Sequence, residues 1–85
     1  MSTEVIKTRK TVFTFPFGIT ATIRPSGAIV TCSREWVRTD RQERGVRTIL
    51  TVIGEALEMG VEPTVLVKPV VAMVEALREN RVAMI

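Results

Sequence analysis

Five arginines and the only tryptophan of this 85-residue chain fall in one stretch: Arg34, Trp36, Arg38, Arg41, Arg44 and Arg47. Guanidinium groups hold phosphates and carboxylates in two-pronged hydrogen bonds, and an indole ring can stack on a base or wedge into a surface. The spacing therefore offers contact with an acidic partner, with Trp36 as the stacking group. A plainer account competes with it. Asp40 stands four residues before Arg44, and Glu43 four before Arg47. That is the favoured order for ion pairs on a helix, so two arginines can be spent on a solvated face. Trp36 can equally close the edge of the core with its indole N–H on a backbone carbonyl. Arg34, Arg38 and Arg41 are then left without an expected partner. They stand before or in the first turn of a predicted helix, where the helix dipole disfavours cations.

Other chemistry is poorly served. The chain contains neither histidine nor tyrosine, which removes the commonest acid–base group near neutral pH and the usual activator of a serine or cysteine nucleophile. Cys32 is the single thiol. Between Val30–Thr31 and Ser33 it reads as a small buried apolar residue on a strand. One cysteine without imidazole makes no zinc site, and the scattered glycines match neither a P-loop nor a dinucleotide fingerprint. The sequence reads as non-enzymatic, with no cofactor and no metal.

Charge is lopsided. Residues 1–47 hold nine of the twelve basic side chains against four acidic ones, a net +5, while residues 48–85 carry a net −2. The basic half includes Lys7, Arg9 and Lys10, so residues 1–10 read as a flexible basic arm that could follow a nucleic-acid backbone, and 11–85 as a single domain. Phosphate contacts without base readout are the leading expectation for the partner, and an acidic protein surface is the alternative. No segment is apolar for long enough to span a bilayer, and the charged start resembles no signal peptide, which points to a cytoplasmic setting without membrane contact. A tiny basic chain of this kind is also what a phage or mobile-element accessory protein looks like, which is an association only.

The elements that must position these residues are legible in the pattern. Val, Ile, Phe and Thr dominate from Thr11 to Ser33, and turn signals at Pro16–Gly18 and Arg24–Gly27 divide the stretch into strands at Thr11–Phe15, Ile19–Ile23 and Ala28–Cys32,. Short connections favour an antiparallel meander. Alternation puts Phe13, Phe15 and Phe17 with Ile19, Ala21 and Ile23 on a greasy face, and Thr14, Thr20, Thr22 and Arg24 on a wet one. The phenylalanine row resembles the stacking aromatics of sheet-type RNA binders, but its apolar neighbours assign it to the core.

Thr39-Asp40-Arg41-Gln42 is a capping box, so a long helix opens near Asp40. Val46, Ile49, Leu50, Ile53, Ala56 and Leu57 form its apolar stripe, Arg44, Arg47, Thr48, Thr51, Glu55 and Glu58 its outer face, and Gly60 its left-handed stop. Beyond Pro63, β-branched Thr64–Val67 predicts a short extended piece, and Pro69 opens a shorter helix to about Glu79. That helix is too apolar to read a major groove, which excludes a helix-turn-helix. Its apolar positions exceed one stripe, and a chain this short buries little core. Self-association through Val65, Val67, Val71, Met73, Val82, Met84 and Ile85, giving a homo-oligomer, is therefore expected. The expected architecture is α+β: a three-stranded antiparallel meander followed by one long and one shorter helix on one face of the sheet.

Overall fold

The computed structural model describes residues 10–79. Strand β1 (Thr11–Thr14) runs through a 3₁₀ turn at Pro16–Gly18 into β2 (Ile19–Arg24), and β3 (Gly27–Cys32) follows across a tight turn. The sheet order is β1-β2-β3 and both pairings are antiparallel. Helix α1 (Asp40–Glu58) and helix α2 (Pro63–Arg78) then pack against it, completing the expected α+β fold.

Register explains why one face must be covered. Phe13 pairs with Ala21 and Ile19 with Cys32, so the inward residues of all three strands line up across the sheet. Phe15, Ile19 and Ala21 are buried, and Phe13, Phe17, Ile23, Ala28, Val30 and Cys32 pack around them. The opposite face carries Val12 beside Thr22 beside Ile29, with Val12 and Ile29 exposed. Phe13 and Phe15 meet edge to face with ring centroids 4.8 Å apart, the geometry of interior aromatics. The row thus belongs to the core.

The α1 stripe falls where its period places it. Val46, Ile49, Ile53 and Leu57 are buried, Leu50 packs beside them, and the six outer-face residues are all exposed. Its start is a complete capping box: Gln42 N–H donates to Thr39 Oγ1 at 3.1 Å, and Gln42 Oε1 accepts from Thr39 N–H at 3.2 Å. The same oxygen takes Arg38 N–H at 2.7 Å, so Gln42 is buried with its acceptor fully used. At the far end Gly60 N–H donates to the Leu57 carbonyl and Val61 N–H to that of Ala56, a Schellman pair that needs the left-handed backbone Gly60 adopts at φ 95°,.

One expectation fails. Residues 64–67 are helical, not extended, and Pro69 lies inside α2 instead of opening it; Pro63 takes the first position. The proline in the interior removes one N–H from the ladder and crowds the carbonyl of Val65, a cost of about 3 kcal/mol. Packing outweighs it. Leu66, Val67, Val70, Val74 and Leu77 recur at helical spacing, with Val70 and Val74 buried and the others against the core, and each fully buried aliphatic side chain contributes roughly 1.5–3 kcal/mol. An extended 64–67 would turn half of that stripe away from the sheet.

Pro69 is exposed, so its replacement tests this balance without touching the core. Pro69→Ala is expected to stabilise the fold by about 1–3 kcal/mol in urea unfolding, through the restored helical bond. Unchanged or reduced stability would contradict the continuous helix.

Candidate functional site

The loop between β3 and α1 carries the first three residues of the basic cluster, and two short ties fix it. Phe17 sits in the left-handed region at φ 66°, a position uncommon outside glycine, and its carbonyl accepts the Trp36 indole N–H at 3.3 Å. Gly18, at φ 76°, accepts Ser33 N–H at 3.0 Å. A Cβ there would stand 2.7 Å from the Ser33 Cβ, so only glycine lets the loop close on the turn.

Trp36 is therefore committed. It is half-buried against the core, its N–H is used, and the Arg78 guanidinium lies 6.0 Å from its ring and 5.1 Å from that of Phe17. The plainer account of Trp36 as the edge of the core matches this placement. Arg78, absent from the sequence expectation, left no local signal; only the meeting of the end of α2 with the β1–β2 turn reveals it.

The arginines separate into three groups. Arg34 holds Glu43 through Nε–Oε1 at 3.0 Å and Nη2–Oε2 at 3.3 Å, while Nη1 donates to the Cys32 carbonyl at 2.7 Å. Arg47 donates Nε to the same carboxylate at 3.1 Å. The expectation of a partnerless Arg34 is thus corrected: a carboxylate nine residues downstream, brought over by the loop, forks its guanidinium. Hydrogen bonds from Arg34, with Arg47 adding to them, hold the Glu43 carboxyl below the usual carboxylate range.

The Glu43–Arg47 pair forms as its spacing predicts, whereas Asp40 and Arg44 form no ion pair. Arg38, Arg41 and Arg44 are exposed and have no carboxylate partner among the described residues.

Helical geometry separates them further, because residues three apart step by about 60° around α1. Arg47 turns to the flank where Arg34 sits. Arg41 and Arg44 turn to the other flank, beside α2. There Arg41, Arg44, Gly45, Thr48 and Ile49 face Met73, Ala76 and Leu77 across a cleft of about 480 Å³ with a largely apolar lining. Gly45 lets the helices approach closely: a Cβ would meet Leu77 Cδ2 at 2.6 Å. The Thr48 hydroxyl is already spent on the Arg44 carbonyl at 3.1 Å.

Arg38 belongs to a separate groove of about 640 Å³ around Trp36 and Phe17. Its charged lining is Arg38 and Arg78 against Glu35, Glu75 and Glu79, so the surface at Trp36 is mixed in charge and not a cationic ledge.

Of the other predicted residues, Lys10 is exposed, and Lys7 and Arg9 lie outside the described residues. Val65 and Met73 are exposed, Val67 packs on the core, and Val71 is half-buried. Val82, Met84 and Ile85 also lie outside the described residues.

Cys32 is half-buried beside the carbonyls of Ser33 and Phe17, at 3.1 and 3.8 Å from its sulfur. Burial pushes its thiol above the ordinary range against a smaller pull from Arg34, the reverse of what a thiolate nucleophile requires. No trio of possible metal ligands gathers among the described residues, and no helix there is long and apolar enough to cross a membrane. No protein-family model matches the chain, and neither characterised proteins nor solved structures yield a match.

The Arg34–Glu43–Arg47 tie predicts a pH response. A carboxyl whose value is lowered on folding contributes stability above its unfolded value, and the contribution is lost as pH falls through the folded one. Followed by NMR, the Glu43 carboxyl is expected to titrate below the same group in the urea-unfolded chain, and Arg34→Gln to move its midpoint upward. Identical midpoints in the two folded proteins would remove the tie.

Proposed function

We propose that this protein is a non-enzymatic binding module whose partner is an acidic protein surface, engaged through Arg41 and Arg44. The observation that carries the reading is the placement of Arg41 and Arg44, two uncompensated guanidinium groups, on the lining of an apolar cleft. Phosphate backbones offer charge but little apolar surface, whereas protein partners bury apolar groups at the centre of the contact and place charge at its rim. The thiol raised by burial and the lack of imidazole support the absence of catalysis,.

A nucleic-acid backbone is the second reading, and the net +5 of residues 1–47 favours it,. It has lost support at two points: Arg34 and Arg47 share Glu43, and the Trp36 groove carries more carboxylates than guanidinium groups.

Fluorescence anisotropy with labelled polyglutamate, single-stranded DNA, duplex DNA and RNA at low and moderate salt separates the two. Polyglutamate is expected to bind, to weaken with salt, and to lose roughly tenfold or more on Arg41→Glu/Arg44→Glu. Tighter binding of nucleic acid, lost with the same pair, would replace the leading reading with the second. No binding of any polyanion at low salt would overturn both.

A further inference from the structure

The cleft that brings Arg41 and Arg44 together is shaped for more than charge, and we infer that it seats an amphipathic α-helix of a protein partner, acidic along one flank. The inference rests on the acidic-partner reading and names the form that partner takes. Arg41, Arg44 and Thr48 lie at i, i+3 and i+7 on α1, and Met73, Ala76 and Leu77 at i, i+3 and i+4 on α2. The α1 row thus runs about two turns, roughly 10 Å at 1.5 Å per residue, and the α2 row facing it about one turn, roughly 6 Å. A groove bounded by two helices is the surface into which a third helix packs its own ridge.

The chemistry of the lining selects the occupant. Between the rows the lining is apolar, with Ile49, Ala76 and Leu77 beside Gly45, whose missing side chain lets Leu77 close against α1, so the surface offered to a ligand there is aliphatic. Met73, 38% exposed, lies on the α2 wall as a flexible apolar contact, the side chain most able to adapt to an incoming surface. The Thr48 hydroxyl, already donated to the Arg44 carbonyl, asks nothing of the ligand. The remaining polarity is two guanidinium groups from the first two turns of α1, where the positive end of the helix dipole adds to their field. An apolar stripe with Asp or Glu beside it satisfies both parts of this surface; a basic or purely polar helix satisfies neither.

A display library of random 20-residue peptides, selected on the full-length protein, samples this class of ligand broadly. The selected peptides are expected to carry apolar residues at i, i+4 and i+7 with Asp or Glu beside them. Their affinity is expected to fall at least tenfold on Ala76→Glu and on Arg41→Glu/Arg44→Glu, and to remain unchanged on Val12→Thr across the molecule. Circular dichroism checks that each variant is folded. Amide shifts in the wild-type protein provide a test independent of the variants and should centre on Gly45, Thr48 and Met73 when a selected peptide is added.

Peptides without the helical period, peptides indifferent to Ala76→Glu in a folded variant, or shifts mapping elsewhere would overturn the helix seat. If polyglutamate still binds through Arg41 and Arg44 in that case, the acidic-partner reading survives it. If no acidic probe binds, both fall.

Discussion

Burial of the single apolar sheet face beneath α1 fixes everything else in this molecule. Ile19, Ala21 and Ile53 are almost wholly withdrawn from water, and Val70 and Val74 of α2 join the same cluster. Because that stripe must face the sheet, the rotation of α1 about its own axis is settled, and with it the direction of every charged residue the helix carries. The positions of the arginines are thus a by-product of core packing. A helix turned by one residue would expose Ile49 or Ile53 and forfeit roughly 1.5–3 kcal/mol for each.

Given that rotation, carboxylates decide which arginines remain available. Glu43 faces the β3–α1 loop and takes both Arg34 and Arg47. One acid thereby balances one of two bases and fixes the loop to the helix, although a solvent-reached network of this kind contributes little to stability. On the opposite flank neither Arg41 nor Arg44 has an ion-pair partner among the described residues, and the neighbour there is α2 with Met73, Ala76 and Leu77. Uncompensated charge and exposed apolar surface therefore coincide on one side of α1. Trp36, which by type looks like the functional residue of the segment, ties the loop to the β1–β2 turn through its indole N–H.

Much of the fold was legible because local signals agreed with one another. Alternation in Phe13–Phe15 and Ile19–Ile23, the Thr39/Gln42 capping box and Gly60 are rules of short range, and each holds. Pro69 misled because proline chemistry is local, whereas the Leu66, Val70, Val74 stripe that overrides it acts through the sheet. The candidate site was legible in composition but not in arrangement. Asp40 and Arg44 had the right spacing and do not pair. Arg34 had no helical neighbour, yet it is forked by a residue that only the loop brings close. The stacking of Arg78 over Phe17 and Trp36 joins chain segments about sixty residues apart at the widest, a distance no pattern rule spans.

The role of the cleft depends on a partition of guanidinium groups: Arg34 held, Arg38, Arg41 and Arg44 unheld. Side-chain Nε–Hε relaxation by ¹⁵N NMR measures this directly. Arg34 is expected to show a restricted Nε–H vector and slow proton exchange, and the other three rapid averaging with fast exchange. If Arg41 and Arg44 prove as restrained as Arg34 in the free protein, they already have partners, and the cleft loses the uncompensated charge on which its role as a docking surface depends.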